Sequence, residues 1–363
     1  MVVTAIVVAV VGVVVDSFRE ETESAAPVVT APAQPEEEVE EVPVEAMTSN
    51  IEVSGSSTVF PIVQLQAERF QELAPGVAIS VDNPGSGDGA QLFCNGDVQI
   101  ANASRLYKEE EVALCEANGI EFIELRRAID GITVVTSAAN ADIECVSFND
   151  LYALISSEAE GTTSWSDANA LTAEWGGTQF DSGLDLAVFG PGEESGTFDS
   201  FAEIVLEAVA GGDTGLDPAS RDFVETIRAD YVSTANDNTI IEGIGSEEHS
   251  LGWVGFAFAS EAAEAGDAKL LEVSVEDGGE CVLPTESTIA DASFPVSRFL
   301  YTYVNKASVE EDPAVEAFVD YMLSEEGSTA VTEAGYVPLG EDDASRLGRV
   351  WQLKIAGQSQ WGE

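Results

Sequence analysis

Residues 51–73 read IEVSGSSTVFPIVQLQAERFQEL, and this stretch decides the fold. IEVSG alternates apolar and polar residues and ends in glycine, as a strand does. In VFPIVQLQAERFQEL the apolar residues recur at helical spacing, so a helix follows almost at once. Between them lies Gly55-Ser56-Ser57-Thr58. The same order recurs downstream: VAISVDN reads as a strand, then Gly85-Ser86-Gly87-Asp88-Gly89, then a short helix in GAQLFCNG. VQIANAS is a further strand, KEEEVALCEANG a helix closed by Gly119, and IEFIEL and IDGITVVTS two more strands. Strands alternating with helices predict an α/β fold, with mostly parallel sheets and flanking helices.

A second α/β set starts at FNDLYALISSE. It runs through the strand DLAVFG, a helix from Ser195, a helix near 220–230, the apolar strand LGWVGFAF, and KLLEVSV. FPVSRFLYTYVN reads as a long strand, and one or two closing helices follow from Asp312. The chain of 363 residues is too long for one ordinary domain and suits two lobes. Residues 1–15, MVVTAIVVAVVGVVV, are apolar but short of a membrane span and lack a basic start. We expect an N-terminal membrane anchor or a truncated signal over 1–19, and an acidic, Pro-rich tether over 20–50.

The charge balance excludes whole classes of function. Against 67 Asp and Glu stand 14 Lys and Arg, a net charge of −53. No basic face for nucleic acid or for an anionic membrane can be assembled from that set. An acid-rich surface with few lysines suits solubility in high salt. One histidine, His249 in GSEEHSLGW, rules out a His-rich zinc site and reads as an exposed loop residue. The four cysteines, 94, 115, 145 and 281, contain no CxxC pair, so two disulfides in an oxidising compartment are expected.

Three segments place glycine and hydroxyl residues directly after a strand and before a helix: 55–58, 85–89 and Glu194-Ser195-Gly196-Thr197. A helix start offers unpaired N–H groups and a partial positive charge, so each is an anion cradle in prospect. One such turn alone is an ordinary cap. Three in one chain carry more weight.

The segments SGSSTVFPI, NPGSGDGAQLFCNGDVQIANASR, AIDGITVVTS, FGPGEESGTFDSF and FPVSRFLYTYV together resemble the phosphate-binding proteins of high-affinity phosphate ABC transporters. The resemblance covers about residues 51–340, with the segments in family order. It implies a two-lobed, type II periplasmic-binding-protein-like fold that closes on phosphate. Lobe 1 would hold 51–137 and 292–350, lobe 2 would hold 138–291, and 351–363 would be a tail. On that arrangement Cys94 is expected to pair with Cys115, and Cys145 with Cys281.

By the same resemblance Ser57 and Thr58 fall on the first phosphate loop, and Ser86 with Gly87 on the second helix start. Ser104 and Arg105 fall at the end of the third strand, and Ser195, Gly196 and Thr197 on the second lobe's helix start. Two positions depart from the family. Pro191 stands where many members carry arginine, and Arg105 where many carry an aspartate that accepts the phosphate proton. Asp130 is the candidate acceptor, at the cleft's edge; the alternative is a turn residue before Gly131. Arg298 is a second charge near the cleft, with a surface ion pair as the favoured reading.

The resemblance thus implies a non-catalytic, extracytoplasmic carrier of inorganic phosphate, with no cofactor and no metal. It would work as a tethered monomer that delivers phosphate to an ABC permease. A binder of another oxyanion, such as sulfate or molybdate, and a secreted phosphatase on the same fold are the alternatives.

Overall fold

The computed structural model describes residues 43–193, 195–215, 223–358 and 361. The expected anchor or signal over 1–19 lies outside them, as does the tether up to residue 42. The first set of elements is β1 (Ser49–Gly55), α1 (Phe60–Leu73), β2 (Val77–Asp82), α2 (Ser86–Cys94), β3 (Ile100–Ala103), α3 (Glu109–Asn118) and β4 (Phe122–Ser137). The second is β5 (Cys145–Ser147), α4 (Phe148–Ile155), α5 (Asn169–Trp175), β6 (Val188–Gly190) and α6 (Gly196–Phe201). α6 continues through a π-helical stretch, Ala202–Leu206, into α7 (Glu207–Gly211). Then come β7 (Val232–Ser233), α8 (Asp237–Ser246), β8 (Leu251–Gly255), α9 (Phe256–Ala265), β9 (Ala268–Leu270), β10 (Glu272–Ser274) and α10 (Glu286–Ala290). The chain closes with β11 (Ser297–Asn305), α11 (Lys306–Glu311), α12 (Pro313–Leu323), α13 (Glu325–Glu333), β12 (Val337–Pro338) and α14 (Glu341–Gln352).

Among the described residues the strand order is β2-β1-β3-β11-β4-β8-β6-β7, with β9 and β12 also on β4 and a separate β5–β10 pair. Strands of successive βα units pair parallel, β1 with β2 and β3, and β6 with β7 and β8. Antiparallel pairing involves β4 or β11 throughout. The two expected strands IEFIEL and IDGITVVTS are one. β4 pairs with β11 up to Gly131 and with β8 from Ile132 onward, so this single strand carries the chain from one lobe to the other.

The arginines in the middle of β4 explain why it reads as two strands in sequence. Arg127 is buried, and Gln66 Oε1 and the Met322 carbonyl accept from it at 3.1 and 3.3 Å. Burial lowers its pKa to about 10. The Arg126 guanidinium lies 3.7 Å from the Phe299 ring and 3.2 Å from Asp343. Both charges are absorbed by tertiary partners, so the strand continues.

Two cores follow from this layout. One joins α1, with Ile62, Val63, Ala67 and Phe70 on its inner face, to Ile51, Val53, Leu125, Ala128, Leu300 and Phe318. The other gathers Ile132, Val134, Leu151, Trp165, Phe201, Trp253, Phe294 and Val296. The changeover falls at 128–129 and 296–300, inside β4 and at the start of β11, not at the expected 137/138 and 291/292. Both ends also extend beyond expectation. Val44 and Met47, placed in the tether, pack on the first core, and β1 starts at Ser49. The expected tail is folded: Trp351 and Trp361 are buried, and Gly357 bridges to Ile123. Aliphatic side chains hold the first segment on the lobe, and the large rings of Trp351 and Trp361 hold the last.

Two smaller expectations change as well. Residues 223–230 form no helix, and the apolar run LGWVGFAF is a strand only to Gly255, after which α9 begins. The cysteines pair 94–115 and 145–281. The second bridge spans 136 residues and the first 21. The chain-entropy relation assigns these loops about 5 and about 3 kcal/mol. Urea denaturation of the two Cys→Ser double variants should show the larger loss for 145/281; the reverse order would reject loop entropy as the cause.

Candidate functional site

The first-lobe turns meet at the ends of β1, β2 and β3. Gly55 has φ +138°, and a Cβ there would lie 2.0 Å from the Asn102 carbonyl oxygen, so only glycine fits. The Ser56 N–H donates to Asn102 O at 2.9 Å and Gly85 N–H to Gly55 O at 3.0 Å, which knits the loops together. Ser86 and Ser104 hydroxyls lie 3.2 Å apart, and the Ser104 N–H donates to Ser86 Oγ at 3.2 Å. Ser86, Gly87, Ser104 and Arg105 line a cleft of about 730 Å³ together with Arg298.

The second lobe closes on the first loop through α6. Gly196 faces the backbone of Ser57 and Thr58 so closely that a Cβ would sit 2.9 Å from Thr58 Cα. Ser57 Oγ donates to Asp199 Oδ2 at 2.7 Å, and Thr58 Oγ1 and Ser200 Oγ share a hydrogen bond at 3.0 Å. Burial raises the Asp199 pKa, and the bond from Ser57 opposes that rise. Ser195 caps α6 by accepting the Thr197 N–H at 3.2 Å; neither of these two residues lines the large cleft.

Arg298 joins the two groups. It is no surface ion pair: its side chain is 14% exposed and its Nη2 donates to Ser200 Oγ at 2.5 Å and Thr58 Oγ1 at 3.2 Å. Its Nη1 bonds Glu203. Across the β4–β11 ladder it stands opposite Asp130, with Nε 3.6 Å from Oδ2. Asp130 is therefore neither a turn residue nor at the cleft's edge. It lies within β4, 3% exposed, under Arg298. Burial raises its pKa, with the Arg298 charge and Ser200 pulling the other way.

Arg105 is engaged too. Its guanidinium makes a two-pronged pair with Glu111 at 2.8 and 2.8 Å. Burial raises the Glu111 pKa, but the bonds from Arg105 and from the Lys108 N–H outweigh it, so the carboxyl ends below its usual range. His249 is not exposed; its side chain is 15% accessible and Nε2 meets Asp142 Oδ2 at 3.1 Å, away from the cleft.

Sequence reasoning missed Asp199, Ser200, Glu203 and Glu111. One signal was available for two of them. Asp199 and Glu203 are four apart in a helix that starts at an anion-cradle motif, so they share a face beside it. Arg298 was placed near the cleft, but its partner Asp130 stands 168 positions away, 298 minus 130, on a paired strand that no local pattern reveals.

The chain and its fold have relatives. The PBP superfamily domain matches residues 24–326. Protein SphX of a Synechocystis species is 34% identical over 305 residues, covering 84% of this chain and 82% of that protein. Phosphate-binding protein PstS of Staphylococcus saprophyticus is 29% identical over 290 residues, 80% of each chain. The crystal structure of a possible phosphate binding protein from Planctomyces limnophilus superposes with a TM-score of 0.73 at 30% identity, covering 85% of this chain and all of that one.

Proposed function

The chain belongs to the PBP superfamily, and from that membership we propose an extracytoplasmic carrier that binds inorganic phosphate between its lobes for an ABC permease. One observation carries the reading. Ser57 and Thr58 of the first lobe contact Asp199 and Ser200 of the second, with Arg298 bonded across the join beside an open cleft. A tetrahedral oxyanion placed there meets hydroxyl, N–H and guanidinium donors from both lobes, and its binding favours closure. The curated relatives named PstS are phosphate-binding proteins, which agrees with this ligand.

In this reading Ser57, Thr58, Ser86, Gly87 and Ser104 supply first-lobe donors, and Ser195, Gly196 and Thr197 supply the second lobe's helix start. Arg298 supplies the charge, and Arg105 a second one held in place by Glu111. Asp130 orients Arg298 from beneath rather than touching the anion. The protein works as a monomer held by its N-terminal segment, with the lobes dividing inside β4 and at the start of β11.

Thermal shift of the purified protein with phosphate, sulfate, molybdate and a phosphate ester tests this. Phosphate at 100 times its Kd should add about 2.7 kcal/mol, and sulfate far less. A larger shift with sulfate or molybdate would replace phosphate as ligand. Release of phosphate from the ester would make the protein an enzyme.

A further inference from the structure

Three donor groups around the cleft are bonded to carboxylates of the chain itself, and the three pairs differ in kind. Glu111 belongs to the same lobe as Arg105, is buried, and also takes the Lys108 N–H at the start of α3. It is a fixed part of its lobe. Asp199 and Glu203 belong to the second lobe, four residues apart on one helical face; Asp199 reaches Ser57 of the first lobe, and Glu203 reaches Arg298 where β11 crosses between the lobes. The Glu203 side chain is 44% exposed and lines the 730 Å³ cleft. It is an exposed carboxylate holding one prong of the arginine that the cleft offers to an anion.

Resting on the phosphate reading above, we propose that Glu203, assisted by Asp199, is an internal competitor for the anion. An incoming oxyanion reaches Arg298 Nη1 only by displacing the Glu203 carboxylate. Glu203 therefore weakens affinity by the strength of its own bond, and it holds the lobes together when phosphate is scarce. The Ser57–Asp199 bond serves the same end. Closure and ligand occupancy are thereby partly uncoupled, because the cleft's donors are satisfied in either case.

The test compares three conservative variants by calorimetric titration with inorganic phosphate and by small-angle X-ray scattering without it. E203Q frees Arg298 and should lower the phosphate Kd roughly tenfold. E207Q removes a charge that lines the same cleft but has no bond to Arg298 among the described residues, and should change Kd by about twofold. Equal effects of E203Q and E207Q would reduce the proposal to general charge repulsion and overturn it. A raised Kd for E203Q would also overturn it, since Glu203 would then be positioning the arginine. In phosphate-free buffer, D199N/E203Q should show a larger radius of gyration than wild type; an unchanged radius overturns the locking role. Failure of the wild type to bind phosphate would reject the ligand, while the scattering comparison would still decide the lock.

Discussion

Replacing Arg298 with alanine should cost roughly 3–5 kcal/mol of stability and more than a hundredfold in phosphate affinity. The stability loss comes from Asp130. Its carboxylate is 3% exposed, and the only cation the described residues place against it is Arg298, at 3.6 Å. Removing the arginine leaves a buried charge without its counterion. The affinity loss comes from the guanidinium that joins Thr58, Ser200 and Glu203 at the cleft.

Two controls separate these effects. Asp130→Asn in the Arg298→Ala background should recover most of the stability and none of the affinity. The pH dependence follows from the direction of the shift. The folded pKa of Asp130 is raised by burial, so its contribution to stability is full below the unfolded carboxylate range near ~3.9 and falls as pH rises through the folded value. Arg298 limits that rise, so the deficit of Arg298→Ala should be largest at neutral pH and shrink in acid. Urea titrations across pH check it; a deficit independent of pH would show that Asp130 is not the cause.

Gly196→Ala should leave the lobes folded and reduce phosphate affinity by roughly ten- to a hundredfold. The new Cβ would stand 2.9 Å from Thr58 Cα, 3.2 Å from Thr58 N and 3.3 Å from Ser57 O. These are backbone atoms and cannot rotate away, so the lobes must part by some tenths of an ångström. The donors that the two lobes aim at the anion then separate with them, at about 0.5–1.5 kcal/mol apiece. Within one lobe the same change is harmless, since alanine is the better helix former by about 1 kcal/mol. A melting temperature near wild type with a weakened phosphate titration is the expected pair of results. An unchanged Kd would mean that this contact is absent from the bound state.

The α/β class was written in the chain. The strand IEVSG, its Gly55 turn and the helix at 60–73 are local events fixed by period and by glycine's freedom. So were the first-lobe hydroxyls, because a residue between a strand's end and a helix's start has few places to point. Ser57, Thr58 and Ser86 stand in two such turns, whereas Ser104 was placed by the family resemblance. The strand β4 was legible only in halves, because two adjacent arginines look like an interruption until Gln66, Met322 and Phe299 are seen to receive them.

What the tertiary structure alone decided is which charges face the cleft and with whom. Arg298 and Asp130 become neighbours only through the antiparallel register of β11 on β4. Glu203 and Asp199 reach the first lobe only because α6 starts where Gly196 can touch Thr58. Periodicity in a sequence reports which face of an element is apolar, since burial acts on every turn of it. An ion pair is a single contact between two distant elements. It leaves no period, and its worth is set by burial and by competing partners, which exist only after the chain has folded.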